Sequence, residues 1–463
     1  MKYNIEQINQ IGKLLVEVME EAVSETEEER VGIGDVEMAL RESLQAVGQS
    51  ALRQYLENAD GEPEAEIECG CGGKLHYQRH RAATIWSVFG KVVYQRAYYA
   101  GCTCQKGQAP VDRRYGIEAG KVTAGLAHLV ALSGIKESFE AGCKWLKEYL
   151  LFEVSENTIR SETRKMGELQ LQADQALVKE MHDEKSLQQR ERSQPMACDI
   201  LYGSIDAAKV RIEPRDPQEK VLENRETWRD LKAGCWYEGE VVPVRQHSMR
   251  QKEKLQREGV VLRAKNKTYF CDIAEAQEFG KLLWATGCTA GADRARRLVF
   301  ICDGAVWIWN LIAQYFPNAI QIVDWYHAVD RLKRIAEEVF PILEERHDWL
   351  TQVTEDLWQG RVELVIEACR LLAKQSKWAQ HSLTYYSNNL ERMRYDQFRA
   401  SNLLIGSGVI ESGCKQIVTQ RLKLPGAQWH LDGAILTAKA RTAWMSGNWP
   451  KLVSARSHLP LAA

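Results

Sequence analysis

No run of apolar residues in this 463-residue sequence approaches the roughly 18 needed to span a bilayer. The opening stretch MKYNIEQINQIGKLLVEVMEE has no apolar signal core and reads as an amphipathic helix. Membrane classes are thereby set aside, and a cytoplasmic protein is the expectation. Internal repeats and low-complexity tracts are also lacking, so a solenoid or a disordered chain is not indicated. There is no chain-wide charge of either sign: the formal net charge is -2 and the pI about 6.6. A surface for a polyanion must therefore come from local clustering of cations.

What is present is ordinary globular material. A 45% hydrophobic share and this length suggest two to four domains. Residues 4 to 57 carry helical periodicity, interrupted by the acidic stretch ETEEER. Residues 66 to 106 change to strand patterning, and ATIWSVFGKVVYQRAYYAG alternates about Phe89-Gly90-Lys91 as a hairpin. Residues 115 to 180 are helical again. Three strand candidates follow, in CDILYGSID, WRDLKAGCWYE and KTYFCDI, then a helix in AEAQEFGKLLWATG. RRLVFICDG supplies another strand, a helix runs to Tyr315, and AIQIVDWYH supplies a fifth strand. Residues 328 to 400 are helical throughout, and a glycine-rich loop then opens a last helix in GSGVIESGCKQIVTQRLKLPG. That order implies an α+β chain in which a mixed sheet is packed by helices and interrupted by an all-helical insertion.

Most of the twelve cysteines are scattered singly, as in reduced proteins. Cys69, Cys71, Cys102 and Cys104 instead bracket the hairpin, whose two ends a hairpin brings together. Four thiolates so placed would close a tetrahedral structural Zn2+ site in a zinc-ribbon-like module, and the plainer alternative is four thiols without metal. Residues 138 to 169 resemble a helix-turn-helix: Val154 and Ile159 flank Ser155 as a hydrophobic staple around an N-cap. The second helix presents Asn157, Arg160, Ser161, Arg164 and Lys165 on one side, suited to a DNA major groove. A plain helical hairpin would use the same pattern, with Glu156, Glu162 and Glu168 diluting its charge. Residues 245 to 267 hold eight Lys or Arg against two Glu. Arg250, Lys252 and Lys254 in that run, with Lys415, Arg421 and Lys423 on the last helix, are candidate phosphate contacts. A solvated charged face is the bland reading of such a run.

Three acids stand at informative junctions. Asp206 closes a run that is apolar on both faces, where a carboxylate is expensive unless paired or bound to metal. Asp303 follows the apolar run Leu298 to Ile301, and Glu411 lies in the first turn of a helix whose core stripe is Ile410, Cys414, Ile417 and Leu422. Singly, Asp303 reads as a helix cap and Glu411 as an acid favoured by the helix dipole. Gathered at one sheet edge, the three would hold Mg2+ or Mn2+, the hard cations that oxygen ligands select.

The motifs SIDAAKV, WRDLKAGCWY, CDGAVWIWNLIAQYFPNAIQIVDWYHAVDRL and IGSGVIESGCKQIVTQRLK resemble bacterial insertion-sequence transposases of the ISKra type. Those belong to the Mutator-like group of DDE transposases, and the resemblance covers most of the chain. It implies an RNase H-like catalytic domain over residues 196–327 and 404–445, interrupted by the insertion at 328–403. Ahead of it stand N-terminal helices (1–60), the zinc-ribbon-like module (61–112) and the helix-turn-helix-like domain (113–195); a tail (446–463) follows. The family's metal-binding acids fall on Asp206, Asp303 and Glu411, and its histidine on His327. Asp324 stands where many relatives have cysteine, and ranks below Asp303 as an acid that orients His327; DAA follows the first strand where DG is common. The activity implied is binding of element ends, metal-dependent DNA cleavage and strand transfer, by a nucleoid-associated homo-oligomer on double-stranded DNA. The alternatives are a non-catalytic, zinc-stabilised DNA-binding protein and a structure-selective nuclease on the same fold.

Overall fold

A computed structural model of the chain describes residues 10, 12–17, 20, 32–183, 185–186, 198–213, 228–242 and 261–457. Arg250, Lys252 and Lys254 lie outside the described residues, as does the ETEEER stretch. The chain divides into two units, Met1–Met166 with Pro450–Ala463, and Gly167–Trp449.

In the first unit, alternating side chains make the hairpin. Strands β1 (Glu66–Glu68), β2 (Lys74–Ser87) and β3 (Gly90–Ala100) form an antiparallel sheet in that order. β2 turns into β3 through Val88 and Phe89, with Gly90 at φ +98, a conformation L side chains rarely adopt. Ala83, Ile85, Val92 and Tyr94 bury one face against Leu56 of helix α1 (Ile33–Asp60). Beyond a bulge between Tyr77 and Arg79, Leu75, Ala97, Tyr99 and Cys102 form a separate cluster at the cysteine end.

Short α2 (Pro110–Tyr115) leads to α3 (Ala124–Lys136), α4 (Phe139–Leu150) and α5 (Glu156–Met181). Their starts follow capping chemistry: the Ser138 and Ser155 hydroxyls accept from the Ala141 and Thr158 amides at 3.1 and 3.2 Å. Val154 and Ile159 share one cluster with Leu126, Val130 and Leu146, as a staple around Ser155 requires.

The second unit is built on a five-stranded sheet. Its order is β6-β5-β4-β7-β8, from β4 (Ile200–Arg211), β5 (Trp228–Val242), β6 (Val261–Asp272), β7 (Arg297–Cys302) and β8 (Ile320–Val323). β5 runs antiparallel to both β4 and β6, whereas β7 and β8 run parallel to β4, so the sheet is mixed. Helix α6 (Ala276–Ala290) precedes β7, and α7 (Val306–Tyr315) joins β7 to β8. An aromatic slab lies on the sheet, with Trp236 edge-on to Phe300 at 5.3 Å and to Phe316 at 5.6 Å. Glycine makes the close approach possible: a Cβ on Gly203 of β4 would fall 2.5 Å from the Phe300 ring.

After β8 come α8 (Trp325–Val339), α9 (Leu343–Trp358), α10 (Val362–Leu372), α11 (Lys377–Asn388) and α12 (Tyr395–Ala400). Among the described residues no strand interrupts them, and α+β architecture with a helical insertion is what the patterning anticipated. Helix α13 (Gly408–Cys414) continues through a π turn at Lys415–Thr419 into Gln420–Leu422. α14 (Leu431–Met445) follows it, and α15 (Trp449–Ser457) occupies part of the stretch expected to be a tail.

Lys439 on α14 is 1% exposed and bridges Asp174 of α5 at 2.7 Å and Asp272 of β6 at 3.0 Å. Removing one partner from a buried ion cluster leaves like charges facing each other unscreened. Lys439→Met should lower the unfolding free energy of this unit by about 3–5 kcal/mol in urea titration. A loss below about 1 kcal/mol would show that the cluster is hydrated and incidental.

Candidate active site and candidate metal centre

Parallel pairing brings together the strands that carry or precede the acids. β4 pairs with β7 as Gly203↔Phe300, and β7 with β8 as Cys302↔Val323. The first ladder ends three residues short of Asp206 and Asp303, and the second ends one residue short of Asp303 and Asp324. Asp303 and Asp324 follow the carboxyl ends of β7 and β8, Asp206 lies within β4 near enough to feel the Asp303 charge, and α13, which packs on β4 and β5, carries Glu411. Asp206 was expected to end its strand; β4 instead runs on to Arg211, with Asp206 paired to Ala233. The antiparallel β5 neighbour supplies the pairing that prolongs it.

Each acid has local bonds. The Asp206 carboxylate accepts from the Ala207 amide at 2.7 Å, and Asp303 accepts from the Ala305 amide at 3.0 Å just before α7. Asp324, fully buried, caps α8: one oxygen takes the His327 amide at 2.7 Å and its Nδ1 at 3.0 Å, and the other takes the Ser407 amide. Glu411 Oε1 receives the Ser407 hydroxyl at 3.2 Å and lies 3.6 Å from His327 Nδ1.

The electrostatics follow from burial and like charge. Burial holds the Asp206 carboxyl above its ordinary range, and the Asp303 charge adds to that rise. His327 is pushed up to about 9, chiefly by its hydrogen bond to Asp324, with the charges of Asp324, Glu411 and Asp303 contributing. Near neutral pH it is an imidazolium among carboxylates. Cys414 on α13 bonds to Asp206, and burial raises its thiol, so it is a proton donor there and not a soft ligand. The oxygen-rich donor set fits a hard divalent cation. Among the described residues the group whose ligand atoms lie within 4.8 Å of one another here is Asp324, His327 and Glu411; the expected set of Asp206, Asp303 and Glu411 is not drawn that close.

Sequence reading did not find Ser407, Tyr385 or Cys414 as parts of this centre. Tyr385 of α11 donates its hydroxyl to the Asp303 carbonyl at 2.8 Å, and no local pattern announces a contact 82 residues away. Ser407 could be suspected from its place before α13, where serine caps helices.

In the other unit the four expected cysteines come together. Cys69 and Cys104 sulfurs are 3.5 Å apart, Cys69 and Cys71 3.4 Å, and Cys71 and Cys102 3.3 Å. These separations exceed a disulfide and approach the edges of a tetrahedral Zn–S4 site, so the cluster could hold zinc. Within the cluster the Cys104 backbone amide draws the Cys102 thiol down to about 6, while hydrogen bonds with Cys71 and Cys104 push Cys69 up to about 12.

Among the proposed DNA contacts, Asn157, Arg160 and Ser161 are exposed on α5, with Arg160 bonded to Asn157 at 2.9 Å. Arg164 and Lys165 are half-buried, and Lys165 pairs with Glu162 at 2.7 Å. Glu162 is itself buried, so it does not dilute the outer face as expected. Lys415 and Lys423 are exposed. Arg421 is a correction: it is 2% exposed, with Trp429 against its guanidinium at 4.8 Å. Positions 410, 414, 417 and 421 fall on one helical stripe, which carries Arg421 inward. Among the described residues no helix is long and apolar enough to cross a membrane. Compared with known proteins, the chain matches no family model and no curated protein.

Two outcomes are expected. Protein purified under reducing conditions should carry one zinc per chain by elemental analysis, and Cys102→Ser should lose it while Cys143→Ser keeps it. Zinc retained by Cys102→Ser would remove that thiol from the site. For His327, whose folded pKa lies above the ordinary 6.5, the stabilising contribution is complete below pH 6.5 and is lost as pH rises through about 9. In divalent-free buffer its NMR titration should sit near 9 and move toward 6.5 in Asp324→Asn; an unmoved midpoint would assign the shift elsewhere.

Proposed function

We propose that the chain is a DNA transposase of the DDE type, with an RNase H-like catalytic unit and Asp206, Asp303 and Glu411 as ligands for Mg2+ or Mn2+. The observation that carries this reading is that Asp206 feels the charges of Asp303 and His327, while Glu411 on α13, which packs on β4 and β5, stands 3.6 Å from His327. A sheet of three antiparallel strands extended by two parallel ones, interrupted by helices before α13, supports the fold assignment.

Bound divalent ions supply activation of the attacking oxygen and charge stabilisation of the leaving one. The chain's own residues do the rest. Asp206 and Asp303 hold oxygens at fixed positions because each carboxylate is tethered by a backbone amide. Asp324 has both oxygens engaged by donors, which suits it to fixing His327 and not to metal ligation. His327 offsets the negative charge of Glu411 and Asp324 while keeping its second ring nitrogen for a phosphate oxygen. The exposed face of α5, with Lys415 and Lys423, would contact the DNA, and the cysteine module would be a structural support. Pairing of two element ends calls for a homo-oligomer on double-stranded DNA.

A second reading, a zinc-stabilised DNA-binding protein without catalysis, draws on the caps: Asp303 and Asp324 both bond amides at helix starts. The two readings part in one assay. With a flanking-DNA library and Mg2+, wild type should nick and join DNA, whereas Glu411→Gln should bind the same DNA with at least about a 100-fold slower cut, as expected when a charged ligand at the reacting centre is lost. Equal cleavage by both proteins removes Glu411 from the site. DNA binding without Mg2+-dependent cleavage by wild type favours the second reading, and cleavage without joined products favours a nuclease.

A further inference from the structure

In the first unit, strand β2 carries a cation-rich stretch, Lys74 to Arg81, that the proposed DNA contacts do not include. Several of its charges are already engaged. Lys74 and His76 face Glu66 at 2.6 and 3.3 Å, and Arg96 on β3 is buried against Asp112. Arg79 and Arg81 are exposed, and among the described residues neither has an acidic partner. The bulge at Gln78 sets Arg79 opposite Tyr98 and Arg81 opposite Arg96, so both arginines share the Tyr98 face. The Arg81 guanidinium lies 5.1 Å over the Tyr98 ring, which restrains it without neutralising it.

The backbone beside them is open. β1 covers β2 only across Lys74 to His76, with the Tyr77 amide bonding to Ala65. At the far end Thr84 and Trp86 bond outward to Gly120, Lys121 and Thr123. The same alternation turns the amides of His80 and Ala82 to the outer edge, where no strand covers them among the described residues. Two guanidinium groups beside outward amides on one extended strand match the donors that proteins use on phosphodiester oxygens.

We infer that the Arg79–Ala82 edge of β2, with Arg81 seated on Tyr98, is a phosphate-backbone docking surface for duplex DNA. This rests on the DNA-binding part of the proposed function. It adds a contact on the hairpin, separate from the α5 face, that reads no base sequence.

The test is fluorescence anisotropy of the full chain with a mixed-sequence duplex over a series of KCl concentrations. Arg79→Gln/Arg81→Gln should give a plot of log affinity against log salt shallower than wild type by about 1.8, two contacts at roughly 0.9 each. Arg79→Lys/Arg81→Lys should restore the slope, and each single Gln variant should lose about half of the difference. A wild-type slope in the double Gln variant, with wild type binding normally, overturns this surface and leaves the transposase reading standing. No duplex binding by wild type overturns both. If the Gln variant loses binding to phosphatidylserine vesicles but not to duplex, the surface belongs to a membrane and the inference is also overturned.

Discussion

The Asp206 carboxylate within β4 and the Asp303 carboxylate just after β7 repel each other, and much of the second unit is arranged about that repulsion. Carboxylates gathered this closely need compensation. The protein uses three devices. Amide donors tether Asp206 and Asp303, full burial with three donors immobilises Asp324, and the imidazolium of His327 sits between Asp324 and Glu411. Burial still lifts the Asp206 carboxyl above its usual range, so one anion stays under-compensated on the protein side. The proposed divalent cation would compensate a carboxylate left in that condition.

The rest of the unit keeps those groups in place. The aromatic slab of Trp236, Phe300 and Phe316 fixes β4, β5 and β7 against each other and thus the register between them. Tyr385 ties the Asp303 carbonyl to the helical insertion, and Tyr395 of α12 ties the Val323 carbonyl. The insertion therefore braces two of the strand ends that carry the acids. Ser407, whose amide reaches Asp324 and whose hydroxyl reaches Glu411, couples the start of α13 to the same edge.

Much of this was legible in the sequence because the signals are local. Alternation marked the hairpin, continuous apolar runs marked β4 and β7, and Ser155 between Val154 and Ile159 marked a helix start. The cysteine pairs declared their meeting because a hairpin must bring its ends together. Where side chains answer to distant partners the sequence was mute. β4 passes Asp206 because β5 pairs with it, Arg421 turns inward because Trp429 folds back over it, and Glu162 is buried by its pairing with Lys165 and Arg456. That β7 and β8 pair in parallel and end just before Asp303 and Asp324 follows from strand register, which a single sequence does not specify.

Under the proposed function, a shared divalent cation relieves the repulsion between Asp206 and Asp303. Thermal melting of wild type and of Asp206→Asn/Asp303→Asn, in divalent-free buffer and in Mn2+, tests it most directly. Wild type should melt lower than the variant without divalent ions and rise in Mn2+, while the variant should not respond. A wild type indifferent to Mn2+, or a variant that gains as much from Mn2+ as wild type does, would contradict it.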